Sequence, residues 1–250
     1  MNCRQPDSVA FSTRYGIARV ISKQGRGSRT QATRWVQEGR VRVNGRVVFD
    51  CEFPVRAAVD QIEIDGKILP VAQHLALMLN KPRGLVTTTR DERGRATVYS
   101  CFADAKLPWM APIGRLDKAS EGLLLFSNDP KWAAGITNPQ YGIEKTYHVH
   151  IDRLSAPSLL AAMERGLLLE GECIKARSAR CLRSGLKNSW LEIVLDEGRN
   201  RQIRRLLAGL DVVVLRLVRV AIGPLKLGDL PKGKFRSLSA PEVESLSSFS

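Results

Sequence analysis

Residues 114–129 of the chain read GRLDKASEGLLLFSND. Arg115 and Asp117 stand two positions apart, just before the apolar run 123–126. On extended backbone their side chains point the same way, and Leu116 between them points into a core. An acid beside a buried strand is costly unless it has a partner or a task. Taken alone, the stretch favours a carboxylate that bonds its own turn, next to a core strand.

The composition is that of a basic globular protein. The 250 residues are 44% hydrophobic and 26% charged, which suggests one or two domains. Lys and Arg number 39 against 25 Asp and Glu, so the net charge of +14 favours a polyanionic partner, nucleic acid ahead of a membrane surface. No apolar run reaches the roughly 18 residues that span a bilayer. We therefore expect a cytoplasmic protein without membrane attachment.

Neither the cysteines nor the histidines predict a metal site. The five cysteines are dispersed and form no C-x-x-C pair, which favours reduced thiols over disulfides or zinc. His148 and His150 share one face of a predicted strand over residues 144–151, but no third ligand is near them. We expect a solvent-facing pair and no metal.

The N-terminal part predicts a basic helical module. Between residues 14 and 46 there are nine basic residues and one acid. A first helix is predicted around 17–21, and a second begins after Ser28, an N-cap with Gln31 three positions on. Asn-Gly at 44–45 is a strong hairpin signal. So many cations on so small a unit favour contact with phosphates over a merely solvated face.

This part resembles the S4 domain, also called the Alpha-L RNA-binding motif. The pattern runs from Gly27 through Trp35 and the Gly-Arg at 39–40 to Val48, and the resemblance covers about residues 14–72. Cys51 stands where the family often has a proline. The resemblance implies that the second helix and the following turn face structured RNA, with contacts from Ser28, Arg29, Arg34 and Arg40.

The remaining sequence predicts alternating strands and helices. Strands are predicted at 74–80, 144–151, 175–182, 190–195 and 212–222. Helices are predicted at 97–102, after Asp129, at 155–167, after residue 201 and within 238–250. The helix at 155–167 is expected to be capped by Ser155. Tyr147 faces the apolar side of its strand, as core packing or as a ring on which a base stacks. The turn with Lys81 and Arg83 either holds phosphate or is simply solvated. Ten basic residues against two acids between 199 and 236 indicate an anionic partner.

Four blocks in fixed order resemble the ribosomal RNA pseudouridine synthases that carry an S4-like domain ahead of the catalytic one. The blocks are NKPRG at 80–84, GRLD followed by EGLL within 114–124, EKTYHV at 144–149 and EGRNRQIRR at 197–205. The resemblance implies an α+β protein: a small N-terminal α/β RNA-binding module, then a mixed α/β catalytic domain around a largely antiparallel sheet. The predicted segments are an arm at 1–13, the S4-like domain at 14–72, the catalytic domain at 75–240 and a tail at 241–250.

The same resemblance assigns roles to residues. It implies that Asp117 is the catalytic aspartate, that Tyr147 stacks on the target base, and that Arg204 pairs with Asp117. Ile203 would form an apolar wall of the base pocket. Arg115 would help fill the gap left by the extruded uridine.

Lys81, Arg199, Asn200 and Arg201 are expected as further RNA contacts because they lie in a basic turn and at a basic helix start. The implied reaction breaks a uridine's N-glycosidic bond, rotates the base and rejoins it through carbon 5. Because this is an isomerisation, no cofactor is expected. The carboxylate either attacks covalently or removes a sugar proton, and both routes stay open. The expected partner is a structured stem-loop of ribosomal RNA, and assembling ribosomal subunits are included as a source of it. The expected oligomeric state is a monomer.

Two other functions compete with this one. A non-catalytic RNA-binding or ribosome-assembly factor could keep the same fold and basic surfaces, but such a protein has no need for Asp117, Tyr147 and Arg204 together. A glycosidase-like hydrolase would also use a carboxylate, but no second acid is evident to pair with Asp117.

Overall fold

The computed structural model describes residues 14–57, 59–69, 74–89 and 91–247. The chain forms two compact units, and the predicted arm at 1–13 lies outside the described residues. Unit 1 runs to His74 and also includes Leu107–Met110, and unit 2 comprises Leu75–Lys106 and Ala111–Ser250. Within unit 1 the N–H of Trp109 donates to the carbonyl of Gly25 at 3.3 Å, an association that the sequence did not suggest.

The described residues of unit 1 form two helices and six short strands. The helices are α1 (Ile17–Lys23) and α2 (Arg29–Gln37). The strands are β1 (Tyr15–Gly16), β2 (Val41–Val43), β3 (Arg46–Val47), β4 (Pro54–Val55), β5 (Ile62–Ile64) and β6 (Lys67–Ile68). Four of the strands form an antiparallel sheet in the order β3-β2-β5-β6, while β1 pairs with β4.

The predicted capping box of α2 is confirmed. The Ser28 hydroxyl accepts the Gln31 N–H at 3.2 Å, and the Gln31 side chain accepts the Ser28 N–H at 2.8 Å. Both bonds satisfy N–H groups that a helix start leaves without intrahelical partners. The buried face of α1, with Ile17 and Val20, packs into one core with Val36 of α2. Each fully buried aliphatic side chain of this kind contributes roughly 1.5–3 kcal/mol.

Unit 2 consists of eleven described strands and four described α-helices. The strands are β7 (Ala76–Lys81), β8 (Ala111–Ile113), β9 (Glu121–Ser127), β10 (Lys145–Ile151), β11 (Leu167–Leu169), β12 (Glu172–Ile174), β13 (Ser178–Ser184), β14 (Ser189–Leu195), β15 (Val214–Ile222), β16 (Leu225–Lys226) and β17 (Phe235–Ser237). The helices are α3 (Pro130–Thr137), α4 (Pro157–Arg165), α5 (Gln202–Ala208) and α6 (Ala240–Ser247), with 3-10 turns at Val98–Phe102 and Pro139–Tyr141.

A nine-stranded sheet organises unit 2. Its main path is β13-β14-β10-β15-β9-β7-β17, with β16 added beside β15 and β8 beside β9. Every pair is antiparallel except β9 with β15, where Gly122 lies opposite Arg219. The α+β architecture with a largely antiparallel sheet is therefore confirmed. Among the described helices, none is long and apolar enough to cross a membrane.

The central strands are apolar because the sheet is covered on both faces. Leu123 and Leu125 of β9 belong to a core that includes Trp132 of α3. Phe126 alternates to the other face, where its ring meets Phe102 edge-on at 4.9 Å between centroids. A strand buried on both faces carries a continuous apolar run, and this explains why β9 lacks polar alternation.

Two local predictions need correction. The helix expected from Ser155 begins at Pro157, and Ala156 rather than Ser155 occupies the N-cap. The expected solvent-facing histidine pair is instead half-buried, because neighbouring strands supply partners. His148 lies 3.4 Å from a carboxylate oxygen of Glu192, and His150 stacks on Trp190 with ring centroids 4.8 Å apart.

Candidate active site

Asp117 lies in the turn that connects β8 to β9. Leu116 is 6% exposed, Arg115 is exposed, and the Asp117 side chain keeps 36% of its exposure. This confirms the predicted alternation of the three side chains. The turn closes where the Ser120 N–H donates to the Asp117 carbonyl at 3.0 Å. The Asp117 carboxylate is thus partly exposed to solvent, while the strand that follows it, β9, is buried in the core.

Lys81 anchors this turn from inside the protein. Its side chain is fully buried at the end of β7, and its Nζ donates to the carbonyl oxygens of Pro82, Asp117 and Ser120 at 3.1, 3.1 and 2.8 Å. Burial lowers the pKa of Lys81 to about 8, against the opposing effect of the Glu121 and Asp117 carboxylates. The predicted phosphate contact of Lys81 is therefore wrong, because all three donors are used on backbone oxygens.

Arg201 is the residue that forms the ion pair with Asp117. Its Nη1 lies 3.6 Å from Oδ2 of the carboxylate. Arg201 is the N-cap of α5 and adopts a left-handed backbone with φ of 49°. For a residue with a long side chain this conformation is unfavourable, and such strain concentrates at functional sites. The fold thus holds Arg201 in an uncommon conformation beside the carboxylate.

Arg204 is placed differently from the expectation that it pairs with Asp117. Its guanidinium donates to the carbonyls of Ala119 and Val214 at 3.3 and 3.4 Å, and no carboxylate lies within 4 Å of it among the described residues. Burial lowers the pKa of Arg204, as do the like charges of Arg201 and Arg83, while Asp117 raises it. Arg204 therefore contributes a half-buried positive charge near the carboxylate and ties α5 to the Asp117 turn.

Tyr147 lies on β10, which is separated by β15 from β9, the strand that follows the Asp117 turn. It is 9% exposed on β10 and pairs in register with Arg219 of β15, which pairs with Gly122 of β9. Neighbouring strands are about 4.8 Å apart, so the two ends of this row are roughly 10 Å apart. The ring shares its face with Val149, as predicted.

Arg219 is a buried residue that the sequence interpretation missed. It is 5% exposed, its Nε donates to the Leu123 carbonyl at 2.7 Å, and its Nη2 is buried without a hydrogen-bond partner. Its charge also lowers the pKa of Lys145, although burial is the larger cause. A charge inside an apolar strand was the signal that could have identified it.

A second missed feature is a buried ion-pair cluster at the start of β9, in which one carboxylate contacts two cations. Glu121 is 3% exposed, receives two hydrogen bonds from Arg216 at 2.9 and 3.0 Å, and lies 2.6 Å from the Nζ of Lys232. The two cations lower the pKa of Glu121 despite its burial. The cluster joins β9, β15 and the loop before β17, and so fixes the strand that follows Asp117.

The other predicted contacts of unit 2 differ in exposure. Arg115, Asn200 and Arg199 are exposed, although Arg199 also bonds Glu197 at 2.9 Å and the carbonyl of Cys173 at 3.1 Å. Ile203 is 4% exposed on the buried side of α5. Their contacts with RNA stay predictions.

The predicted contacts of unit 1 have intramolecular partners. Ser28 caps α2, and Arg29 and Arg34 form exposed pairs with Glu52 and Glu38 at 3.4 and 3.3 Å. Arg40 is bound more firmly, because Asp65 accepts two of its hydrogen bonds at 2.9 and 2.7 Å. These bonds raise the pKa of Arg40. Exposed ion pairs contribute little to stability, so Arg29 and Arg34 remain available to a phosphate.

The site of unit 2 therefore combines one partly exposed carboxylate with a surround of cations on rigid elements. Such a group can act as a nucleophile or as a base. Among the described residues, no group of three His, Cys, Asp or Glu side chains is placed to hold a metal ion.

Comparison with known families gives two matches. The family model for RNA pseudouridylate synthase matches residues 74–209, and the S4 domain model matches residues 16–60. An RNA pseudouridine synthase of Aquifex aeolicus is 37% identical over 231 residues, which are 92% of each chain. The ribosomal large subunit pseudouridine synthase B of Bacillus subtilis is 34% identical over 232 residues, covering 92% of this chain and 94% of that protein.

A solved structure agrees with the sequence matches. A crystal structure of a pseudouridylate synthase superposes with a TM-score of 0.63 at 30% identity, covering 94% of this chain and all of that one. The fold and the family matches are those of an RNA-modifying enzyme with an S4 domain. The chain belongs to the RNA pseudouridine synthase family, and RNA is its partner.

Proposed function

We propose that the protein isomerises a uridine of ribosomal RNA to pseudouridine and that Asp117 is the catalytic carboxylate. The observation that carries the proposal is the construction of the Asp117 turn. Its carboxylate is accessible and paired with Arg201, while Lys81 holds its backbone from the buried side. A reacting group needs a fixed position and a stabilised charge, and these contacts supply both.

The chemistry requires no external oxidant or reductant. The N1–C1′ bond of uridine breaks, the base turns, and a C5–C1′ bond forms, while the proton lost from C5 is balanced by one gained at N1. The Asp117 carboxylate acts as a covalent nucleophile or removes a sugar proton. In either route, Arg201 and Arg204 stabilise the charge before and after the reaction. Tyr147 packs against the base, and Arg115 fills the space that the extruded uridine leaves.

The proposed substrate is a structured stem-loop in large-subunit ribosomal RNA. The relative from Bacillus subtilis is named for that RNA, and similarity to it extends along 92% of the chain. Unit 1 supplies a second contact through Arg29 and Arg34, whose side chains are 64% and 70% exposed. Two sites on one chain raise affinity without a new contact at the reacting base. The chain acts as a monomer in this proposal.

The decisive variant is Asp117→Asn, which keeps the size of the side chain and removes its charge. We expect pseudouridine formation on ribosomal RNA to fall on the order of 10²- to 10⁴-fold, with RNA affinity unchanged. Asp104→Asn, at an exposed turn position of the same unit, is the matched control. Full activity of the Asp117 variant would refute the catalytic role.

The substrate is tested separately by mapping pseudouridine in ribosomal RNA from cells with and without the gene, using mass spectrometry of both subunits. We expect one or more large-subunit positions to lose the modification. A loss confined to the small subunit would refute the choice of subunit, and no loss in either would refute ribosomal RNA as the substrate.

A further inference from the structure

The sheet of unit 2 carries an aromatic and cationic row on the face opposite Tyr147. Side chains directly opposite each other on paired strands share a face. Arg183 pairs with Trp190, Trp190 with His150, and His150 with Arg216, so the row crosses β13, β14, β10 and β15. Because side chains alternate along β10, His150 points away from the face of Tyr147.

The rings and cations of this row are in mutual contact. The Trp190 and His150 rings are stacked with an angle of 3° between their planes. The guanidinium carbons of Arg183 and Arg216 lie 5.5 and 5.8 Å from the Trp190 ring centre, within the range of cation–π attraction. The row therefore holds a tryptophan in one orientation between fixed charges.

A cavity of about 360 Å³ opens beside the row. This is at the lower end of the size of small-ligand sites, and it suits one base with part of its sugar. The cavity combines apolar surface with an aromatic wall and a cationic edge. Its lining residues are His148, Leu182, Arg183, Trp190, Arg216, Val218 and Val220.

The charges on this face favour an anionic occupant. Two carboxylates near the row are already paired, Glu192 with Arg180 at 2.7 Å and Glu121 with Arg216 at 2.9 Å. Arg183 and Lys187, at the end of the β13–β14 hairpin, are exposed and have no carboxylate within 4 Å among the described residues. Arg183 lines the cavity, and Lys187 lies in the hairpin turn that follows β13. An aromatic cavity with a cationic edge matches a nucleotide, whose phosphate is anionic and whose base is flat.

We propose that this face is a second RNA contact of unit 2, in which a single-stranded nucleotide places its base in the cavity against Trp190 and its phosphate on Arg183 and Lys187. The proposal rests on RNA as the substrate and adds a site away from the reacting uridine. Base stacking of this kind is tolerant of sequence. The site therefore adds affinity for RNA beyond the stem-loop, and it does not select the uridine.

The test uses the full chain and a uridine-rich single strand of about 16 nucleotides with 4-thiouridine as the photoreactive base. We expect cross-links at Trp190 or His150, located by mass spectrometry. The double variant Arg183→Glu with Lys187→Glu should lose these cross-links and weaken binding of the strand about tenfold. The affinity of this variant should also depend less on salt, with the slope of log affinity against log salt smaller in magnitude by about 1–2.

The matched control is Lys131→Glu with Lys226→Glu, which changes the charge of the same unit equally at exposed positions on α3 and β16. Equal weakening by both pairs, or cross-links confined to other parts of the chain, would overturn the proposal. So would cross-links in ribosomal particles that join this hairpin to a protein instead of RNA. Binding is measured without turnover, so failure of this site is distinguishable from failure of the proposed activity.

Discussion

The ammonium group of Lys81 donates to the backbone carbonyl of Asp117 at 3.1 Å, although the two residues are 36 positions apart in the chain. The same nitrogen also bonds the carbonyls of Pro82 and Ser120. A buried lysine that spends its donors on backbone is a positioning residue. Its bond to the Asp117 carbonyl fixes the backbone from which the carboxylate extends.

Replacing Lys81 with methionine should impair both stability and turnover. Lys81→Met keeps the length of the side chain but leaves three carbonyls without their donor, so we expect a loss of about 2 kcal/mol in the free energy of unfolding. Because the turn then shifts the carboxylate, kcat should fall at least about tenfold while KM changes little. Urea denaturation and steady-state kinetics measure the two effects. Lys226→Met, at an exposed position on β16, is the control, and an unaltered kcat would contradict the positioning role.

The pH dependence of stability should carry the signature of Lys81. Burial lowers its pKa to about 8 from an ordinary value of 10.5, so between these values the unfolded chain binds more protons than the native state. The contribution of Lys81 to stability therefore rises with pH across this window and is constant below it. The measurement is the difference in unfolding free energy between wild type and Lys81→Met from pH 7 to 10. A difference that stays flat or falls would contradict the assignment.

Two substitutions of Arg201 should distinguish the cost of its backbone conformation from the role of its side chain. Its left-handed φ of 49° is easy for glycine and unfavourable for alanine, so Arg201→Gly should be more stable than Arg201→Ala by about 1 kcal/mol. Both variants lose the ion pair to Asp117 and should lose activity to a similar extent. Denaturation and single-turnover rates test this pair. Equal stability of the two variants would mean that the conformation imposes no strain.

Gly122 should be nearly irreplaceable. Its φ is 101°, and an added Cβ would lie 2.2 Å from the carbonyl oxygen and 2.8 Å from the nitrogen of Arg219. Backbone atoms cannot move aside cheaply, so Gly122→Ala should cost about 3 kcal/mol or more of stability. Gly198→Ala, where an added Cβ meets nothing within 4 Å, is the control and should stay within about 0.5 kcal/mol of wild type. Thermal denaturation of both variants decides the matter.

The strands and caps were predictable because their signals are local. The apolar run of β9, the apolar side of Tyr147 and the capping box at Ser28 each depend on residues within a few positions. Side-chain alternation and helix-end geometry convert such patterns directly into structure. The same local logic failed at Ser155, where a proline two positions later moved the helix start to Pro157.

The partners within the site were not predictable from local patterns. The sequence around Lys81 is typical of a solvated turn, whereas the structure places Lys81 at the buried end of β7, where carbonyls from the Asp117 turn accept its hydrogen bonds. The choice between Arg201 and Arg204 as the ion-pair partner depends on where α5 begins and how it is oriented, and neither is a local property of the sequence. Arg219 required knowledge of strand order, because its neighbours Gly122 and Tyr147 come from distant parts of the chain.

The parallel pairing of β9 with β15 has a kinetic consequence. The residues that meet there, Gly122 and Arg219, are separated by about one hundred positions, so unit 2 has a large contact order at its centre. Closing such a loop costs entropy before any contact compensates it, so we expect unit 2 to fold slowly. Asp117 lies just before Gly122 in the chain and Arg201 lies shortly before Arg219, so their ion pair also joins the two ends of this long loop. A nascent or partly folded chain therefore lacks the Arg201–Asp117 pair of the proposed active site, and we expect activity to appear only with the final, cooperative folding step.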